Sequence, residues 1–410
     1  MEYVVVGASA AGINALKTLA KLAPNDNLTL ISKDEAIHSR CILHHYLEGS
    51  RDVSQLNFTD ANFIEKNNIR WLKGVSLTAI DTSTQVLTLS DGKKVVYDKV
   101  LLATGASTFF PPVKNIKDAA NVIGLRNLDD AIFIKEKLPQ VENIVVMGVG
   151  LVGIDAVEGL LHYGKDLTLV EFGDRLLPIQ LDHKASQRYQ DAFAAYGVKQ
   201  RYNTAVQEVL MDETGKVKEL ALSDGATIPC DLLIVATGVR SNVQFLEGTP
   251  VETDRFGMLF NPLGETNVAN VYGAGDVSGK NPIWPAAVKE GIIAASNMVG
   301  QKRVLTDFFA SKSTMTFLKI QTMSLGSPIP ADDTYQVEIR ESPGQYKKII
   351  HKDGIITGAV IQGDLSYSGI LTQLVKEQIR IDKLKKCVFD INYSDFFNMT
   401  ENFEFGFCTD

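Results

Sequence analysis

Three glycines within residues 144–160 have the spacing that holds a phosphate group. Gly148, Gly150 and Gly153 form a complete G-x-G-x-x-G in "IVVMGVGLVGIDAVEGL", between an apolar run and a helix-like run. In such a turn the first glycine turns the chain, the second lets backbone approach a pyrophosphate, and the third lets the helix pack on the strand. The helix N-terminus then presents free N–H groups to the phosphates. The sequence therefore predicts a dinucleotide site here.

A carboxylate follows this turn at the position that reads the ribose. The next apolar run ends in Glu171, close to the spacing of about 20 residues expected for an acid on the 2′-hydroxyl. Because a carboxylate repels a 2′-phosphate, Glu171 favours NADH over NADPH. Arg175 is a nearby cation that leaves NADPH open.

A second, weaker turn of this kind begins the chain at "VVVGASAAGINAL". Gly7 and Gly12 match the outer glycines, and Ser9 replaces the middle one. Serine is small, so a phosphate can still approach. Two acids follow the next apolar run, and we expect Glu35 or Asp34 to bind the ribose of a first dinucleotide.

Further motifs accompany the two turns. The phrase "LLATGA" (101–106) follows the first turn and holds Ala103, Thr104 and Gly105; "IVATGVRSN" (234–242) follows the second and holds Gly238. In "TNVANVYGAGDVSG" an apolar, strand-like run is followed by Gly275 and Asp276, which we expect at the carboxyl edge of a sheet. A carboxylate there can accept hydrogen bonds from sugar-alcohol hydroxyls. Its alternative is a helix N-cap.

The elements that must position these residues are alternating strands and helices. Strand-like runs alternate with helical patterns to about residue 300, which predicts parallel sheets covered by helices, an α/β fold. After about residue 303 the pattern changes to antiparallel strands followed by a helix over 366–385. We place a separate C-terminal α+β domain there.

Composition narrows the class of protein. The 410 residues carry a net charge of −8 and 45% hydrophobic and 22% charged residues, typical of a globular chain and not of a nucleic-acid binder. No stretch approaches the roughly 20 apolar residues of a membrane helix. The first strand begins at once, without a signal-like region, so we expect a cytoplasmic protein.

The cysteines and histidines favour neither a disulfide framework nor a metal site. None of the four cysteines forms a C-x-x-C pair. Cys230 is expected to pack in a core, and Cys387 and Cys408 belong to no motif. The adjacent His44 and His45 would point about 100° apart on a helix, so we expect no metal ion between them.

With these motifs in order, the chain resembles the FAD- and NAD(P)H-dependent pyridine nucleotide-disulfide oxidoreductases over essentially all of its length. The resemblance implies two Rossmann-like dinucleotide-binding domains and a C-terminal interface domain. The FAD domain would comprise residues 1–110 and 238–302, the NAD domain 111–237, and the interface domain 303–410. The first glycine turn and Asp276 would then hold FAD, and the second turn with Glu171 would hold NADH.

The resemblance also assigns Asp155, two residues after Gly153. The family usually has Glu there, near the nicotinamide. The alternative for Asp155 is an exposed acid in the first helical turn that favours the helix dipole.

One stretch, "IHSRCILHHYLEGSRD" (37–52), bears on the branch of the family. Ser39, Arg40 and "LHHYLEG" resemble the NADH:rubredoxin oxidoreductase branch, which would place Arg40 near flavin N5. Cys41 falls where the NADH peroxidase, NADH oxidase and coenzyme A-disulfide reductase branch has a lone redox cysteine. Arg40 and the nearby histidines could lower the pKa of that thiol. The alternative for Cys41 is a small buried apolar residue.

Two other features favour the rubredoxin-reductase and nitrite-reductase-large-subunit branch. The histidine that the peroxidase has in its first glycine turn is absent, and Ala10 stands there. The segment "NPIWPAAVKEGIIAASNMVG" resembles that branch in its Trp and Ala, with Glu290 in place of the usual Gln. Trp284 and Pro285 would start a helix whose N-terminus faces the flavin.

The resemblance thus implies an FAD-dependent NADH oxidoreductase that passes hydride from NADH to FAD and electrons to a small redox protein such as rubredoxin. The enzyme alternative is a Cys41-dependent disulfide, persulfide or peroxide reductase with a low-molecular-weight acceptor. The non-enzyme alternative is a flavoprotein scaffold, which would not need a second dinucleotide site. The C-terminal domain makes a homodimer possible.

Overall fold

The computed structural model describes residues 1–306, 312–384, 386–399 and 401–407. Cys408 lies outside the described residues. The elements before residue 110 are β1 (Glu2–Val6), α1 (Ala10–Leu22), β2 (Asn27–Ser32), α2 (Leu43–Glu48), α3 (Phe63–Lys66), β3 (Arg70–Lys73), β4 (Leu77–Asp81), β5 (Val86–Leu89), β6 (Lys94–Val96), β7 (Lys99–Leu102) and β8 (Ala106–Thr108).

Three further groups complete the described chain. Up to residue 237 come β9 (Val122–Gly124), α4 (Leu128–Lys137), β10 (Asn143–Met147), α5 (Leu151–Leu160), β11 (Asp166–Val170), α6 (His183–Ala195), β12 (Lys199–Arg201), β13 (Val206–Met211), β14 (Val217–Leu222), β15 (Thr227–Pro229) and β16 (Leu232–Val235). Then follow β17 (Val239–Ser241), β18 (Val271–Gly273) and α7 (Trp284–Met298). The C-terminal elements are β19 (Lys312–Phe317), β20 (Ile320–Gly326), β21 (Gln336–Ser342), β22 (Gln345–Lys352), β23 (Ile355–Gln362), α8 (Ser368–Lys376), β24 (Phe397–Met399) and β25 (Phe405–Phe407).

The first three quarters of the chain contain two parallel five-stranded sheets, as the alternating pattern predicts, together with the small antiparallel sheets β4-β5-β6, β13-β14-β15 and β8-β17. The orders of the two parallel sheets are β18-β7-β1-β2-β3 and β12-β11-β10-β16-β9. The central strands are almost wholly apolar because both faces are covered. In each sheet the glycine turn follows a central strand, β1 or β10, so its phosphate site lies at the carboxyl edge. No helix among the described residues has the length and apolarity to span a membrane.

The C-terminal sheet is antiparallel, in the order β19-β20-β23-β22-β21. The antiparallel strands predicted here are confirmed, but the predicted helix over 366–385 is too long at both ends. Helix α8 begins at Ser368 and ends at Lys376, and Gln378 takes a left-handed φ of 51° that breaks the helix. The chain then turns because Ile379 and Ile381 are buried in the core of this sheet.

Helices α2 and α5 join the two parallel-sheet regions closely. A β-carbon at Gly159 on α5 would lie 2.9 Å from the carbonyl oxygen of His44 on α2, so only glycine allows this approach. The Tyr163 hydroxyl donates to the carbonyl of Leu47 at 2.6 Å. The segment that carries Arg40 and Cys41 is therefore held against the helix that starts at the second glycine turn.

A buried ion pair joins α6 to the C-terminal sheet. Asp182 caps α6 by accepting from the Ala185 N–H at 3.0 Å, and it also accepts from the Tyr346 hydroxyl at 2.6 Å and from the Lys348 ammonium at 2.8 Å. Burial raises the pKa of Asp182, but these donors outweigh burial, so the net pKa lies below its ordinary value.

We expect Asp182→Ala to destabilise the protein by about 3–5 kcal/mol, because it leaves Lys348 buried without its partner. Asp224→Ala is the control, because it breaks an ion pair with Arg201 that is largely exposed, and should cost less than about 1 kcal/mol. Urea unfolding of both variants measures the difference. Because the pKa of Asp182 is lowered, its contribution should be full at neutral pH and fade as pH falls below about 4. Equal losses in the two variants would contradict this account.

Candidate functional site

The first glycine turn is formed by close backbone packing. Gly7 has a φ of 121°, and a β-carbon there would collide with the carbonyl oxygen of Ala103 at the end of β7. A β-carbon at Gly12 would collide in turn with the carbonyl of Gly7. Ser9 is the N-cap of α1, and its side chain makes no capping hydrogen bond. The start of α1 therefore points its free N–H groups at the space beyond β1.

A cavity of about 550 Å³ occupies that space, within the size range of sites for small organic ligands and cofactors. Eleven of the predicted site residues line it: Gly7, Ser9, Asp34, Arg40, Cys41, Ala103, Thr104, Gly105, Gly275, Asp276 and Trp284. The structure thus brings together, from across the first sheet and the start of α7, most residues that the sequence assigns to the first dinucleotide.

Other predicted residues lie outside the cavity wall. Gly12 is buried behind the turn, where it permits packing. Glu35 is exposed near Gly74, whereas Asp34 lines the cavity, so of the two acids only Asp34 is placed to meet a ligand there. Gly238 does not line the cavity either. It has a φ of 108°, and nothing lies within 4 Å of a β-carbon placed there.

Arg40 enters the cavity already paired. One guanidinium nitrogen contacts Asp34 at 2.6 Å, and Nε donates to the Asn127 side chain at 3.3 Å. The remaining nitrogen, Nη1, is buried without a partner among the described residues. A buried donor without a hydrogen-bond partner lowers the stability of the folded protein. Nη1 of Arg40 is therefore available to donate a hydrogen bond to an acceptor on a ligand in the cavity.

Sequence analysis missed Arg126, which pairs with Asp276 across the cavity wall. Its Nε also donates to the Ala106 carbonyl at 3.2 Å. Arg126 directly precedes Asn127, the N-cap of α4 in a capping box with Asp130. The "N-L-D-D" pattern predicts that helix start, but no local pattern shows that the preceding arginine faces Asp276, more than a hundred residues away.

The sequence analysis also missed Asn242, which links the two A-T-G motifs. Its side chain donates to the Thr104 carbonyl at 3.0 Å, and the Thr104 hydroxyl donates to the Asn242 carbonyl at 2.8 Å. Strands β8 and β17 pair beside this contact. The chain therefore leaves and re-enters the first sheet region at one point on the cavity wall.

Glu290 stands where the rubredoxin-reductase and nitrite-reductase-large-subunit branch usually has Gln. Its carboxylate accepts from the Gly275 N–H at 2.7 Å and so fixes the turn that presents Asp276. Burial and the neighbouring Asp276 charge raise the pKa of Glu290 to about 7, against the lowering effect of the Gly275 N–H.

The second glycine turn repeats the first. A β-carbon at Gly148 would lie 2.5 Å from the Ala236 carbonyl oxygen, and one at Gly153 would collide with the Gly148 carbonyl. Gly150 is exposed, and nothing lies within 4 Å of a β-carbon placed there. This turn lies outside the cavity described above. Its middle position is open to a ligand.

Glu171 is held against this turn. Its carboxylate accepts from the Val149 N–H at 3.2 Å and from the Gly173 N–H at 2.7 Å. The nearby Arg175 guanidinium is already committed: it contacts Asp174 at 2.7 Å and donates to the carbonyls of Pro178 and Leu181, each at 3.2 Å.

The sequence left open that Asp155 is an exposed acid in the first turn of a helix. In the structure its side chain is only 23% exposed. On α5 it faces His44, with Nδ1 and Oδ1 3.3 Å apart. Burial, together with the Glu158 charge, raises the pKa of Asp155 to about 8. Burial also lowers the pKa of His44 to about 4, with a smaller effect from His45.

Cys41 does not have the low pKa that its basic neighbours suggested. The side chain is exposed to the cavity, yet the surrounding protein removes enough water from the thiolate to raise its pKa to about 11. Arg126 and Arg40 lower this pKa, while Asp155 and Asp276 raise it. Burial also lowers the pKa of His38, so neither His38 nor His44 carries a positive charge at neutral pH that could lower the pKa of Cys41.

The remaining cysteines are distributed as follows. Cys230 is fully buried, in agreement with the predicted core position, and Cys387 is exposed beside Arg340. The described residues contain no group of three or more His, Cys, Asp or Glu side chains placed to hold a metal.

The residues present fit FAD at the first turn. A phosphate-binding helix start, a paired Asp276, and the unpartnered Nη1 of Arg40 line one cavity. Trp284 begins α7 at the cavity, as predicted, with Pro285 in its first turn. An acceptor-rich ligand with a pyrophosphate and a ring system matches this set of donors.

Comparison with known families assigns the class. A family model described as pyridine nucleotide-disulphide oxidoreductase matches residues 1–291, and one described as rubredoxin NAD+ reductase C-terminal domain matches residues 313–379. The chain belongs to the pyridine nucleotide-disulphide oxidoreductase family, whose members use FAD and NAD(P)H.

Particular relatives narrow the comparison. The chain is 29% identical to the NADH-dependent phenylglyoxylate dehydrogenase subunit epsilon of Aromatoleum evansii, over 94% of this chain and 93% of that one. It is 25% identical to the NADH-rubredoxin oxidoreductase of Clostridium acetobutylicum, over 93% and 96%. The structure of an NAD-dependent persulfide reductase from A. fulgidus shares the fold, with a TM-score of 0.86 and 23% identity over 96% of this chain and 80% of that one.

We expect alkylation of Cys41 by iodoacetamide in the FAD-free protein to be slow at neutral pH. With a thiol pKa of about 11, only roughly 10⁻⁴ of the group is thiolate at pH 7, and the rate should rise about tenfold per pH unit up to pH 10. Peptide mass spectrometry measures the rate. The urea-unfolded chain is the control, where the curve should shift to the ordinary thiol pKa of about 8.5. A plateau below pH 8 in the folded protein would contradict the raised pKa.

Proposed function

We propose that this protein is an FAD-dependent NADH oxidoreductase that passes electrons to a small redox protein. Bound FAD would accept hydride from NADH and release electrons to the acceptor. The single observation that carries the proposal is the pair of glycine turns, each at the carboxyl edge of its own parallel sheet and joined by the α2–α5 contact.

The chain's own residues would bind and orient FAD at the first turn. The N-terminus of α1 and the side chain of Ser9 would face the pyrophosphate, and Asp276 would face the ribityl hydroxyls. Asp276 keeps Arg126 as its partner, which offsets its charge next to a phosphate. Arg40 would offer Nη1 to the flavin, with its charge partly compensated by Asp34.

Preference for NADH is supported by the arrangement around Glu171. Its carboxylate is fixed beside the second turn by the Val149 and Gly173 N–H groups, where it opposes a 2′-phosphate. Arg175 is engaged by two backbone carbonyls and by Asp174, so it would have to give up those contacts to reach a phosphate.

A protein acceptor is supported by two relatives. One is named an NADH-rubredoxin oxidoreductase, and another is a subunit of an NADH-dependent dehydrogenase. The match of residues 313–379 to the rubredoxin reductase C-terminal domain points the same way. The high pKa of Cys41 also favours electron transfer that does not pass through this thiol.

The second candidate is a Cys41-dependent disulfide, persulfide or peroxide reductase. The observation that favours it is the position of Cys41 on the wall of the cavity assigned to FAD. Relatives named as coenzyme A-dependent sulfur oxidoreductase and NADH oxidase match over 73% of the chain. Such a role would require bound FAD or substrate to lower the pKa of the thiol.

We expect the purified protein to carry about one FAD per chain and NADH to reduce it at least about tenfold faster than NADPH, because Glu171 opposes the added phosphate. Anaerobic stopped-flow spectroscopy of flavin absorbance measures both rates. Glu171→Ala should narrow the ratio. Glu142→Ala removes an exposed acid at the opposite edge of the same sheet and should leave the ratio unchanged. A protein that cannot be reconstituted with FAD would overturn the whole proposal.

We expect Cys41→Ser to reduce rubredoxin with NADH at a rate within about twofold of the wild-type rate, because electrons would pass from the flavin to rubredoxin without using the thiol. Cys387→Ser, at an exposed site outside the cavity, is the matched control. Steady-state turnover with rubredoxin, coenzyme A disulfide, persulfide and peroxide measures the acceptor range. Loss of all acceptor turnover in Cys41→Ser, with flavin still reduced by NADH, would establish the second candidate instead.

A further inference from the structure

The most exposed aromatic side chain near the second glycine turn is Phe172, with 80% of its surface exposed. It directly follows Glu171 at the carboxyl edge of the second sheet. No ring stacking or cation contact to Phe172 occurs within the described residues. A large apolar side chain in this state leaves most of its hydrophobic surface in water, which a ligand could cover.

The backbone on both sides of Phe172 is fixed. The Gly148 N–H of the glycine turn donates to the Val170 carbonyl at 2.9 Å, and the Glu171 N–H donates to the Arg201 carbonyl at 2.8 Å. On the other side the Asn203 N–H donates to the Gly173 carbonyl at 2.8 Å. The backbone of Phe172 is therefore held beside the turn, and the side chain projects from a fixed point of the chain.

We propose that Phe172 is a binding residue that stacks on the adenine of the bound dinucleotide. The inference rests on the proposed function, in which the second turn holds the pyrophosphate and Glu171 the adenosine ribose. The base attached to that ribose must lie within a few ångströms of the residue next to Glu171. A flat apolar ring held at the sheet edge offers a stacking surface, and its exposure leaves room for the base.

The test compares ligands that carry different parts of the dinucleotide. ADP-ribose contains the adenine but no nicotinamide, and reduced nicotinamide mononucleotide contains the nicotinamide but no adenine. In the FAD-loaded protein, Phe172→Ala should weaken ADP-ribose binding, measured by calorimetry, by at least about fivefold. It should raise KM for NADH by a similar factor. Flavin reduction by reduced nicotinamide mononucleotide should be unchanged, and Phe172→Tyr should restore ADP-ribose affinity.

Tyr196→Ala is the matched control. Tyr196 is an aromatic residue with 59% exposure that ends α6 at the opposite edge of the same sheet, ahead of β12. This variant should bind all three ligands as the unchanged protein does.

Two results would overturn the proposal. Unchanged ADP-ribose affinity in Phe172→Ala would show that the ring does not touch the base. Equal losses for ADP-ribose and reduced nicotinamide mononucleotide would show that Phe172 acts through the fold. In either case Glu171→Ala still tests the proposed function separately, through the ratio of NADH to NADPH rates. If NADH does not reduce the flavin of the unchanged protein at all, the proposed function itself fails.

Discussion

Backbone packs directly on backbone at the two glycine turns, and this packing sets the geometry of both carboxyl edges. At Gly7 and Gly148 the chain passes so close to the strand-end carbonyls of Ala103 and Ala236 that a β-carbon cannot fit. This approach brings the start of each following helix over the carboxyl edge of its sheet, where unpaired N–H groups face open space. Every other proposed binding residue is positioned relative to that edge.

The regions that carry the two glycine turns are joined by the packing of α2 on α5. Helix α2 follows the segment with Arg40 and Cys41, and α5 starts at the second glycine turn. Gly159 allows the two helices to touch, and the His44–Asp155 contact lies in the same interface. The segment with Arg40 and Cys41 is therefore held close to the helix that starts at the second glycine turn.

Two arginine–acid pairs line the cavity beside the first glycine turn. Arg40 contacts Asp34, and Arg126 contacts Asp276. Because both arginines are matched by acids, the two pairs add little net positive charge, and the thiolate of Cys41 is disfavoured by loss of water. A phosphate in this cavity would therefore depend on the free N–H groups at the start of α1, while the same balance of charge weighs against a permanently ionised cysteine.

From the sequence alone one can predict the alternation of strands and helices and both glycine turns, and can select Glu171 and Asp276 as candidate binding residues, because these predictions depend on local patterns of apolar residues, glycines and acids. The sequence also indicated the antiparallel C-terminal sheet, although the end of α8 depends on the burial of Ile379 and Ile381 in the tertiary core. The pairing of Arg126 with Asp276 and the raised pKa of Cys41 become visible only in the folded chain. Both result from chain segments far apart in sequence that meet at one cavity, where burial outweighs the charges of sequence neighbours.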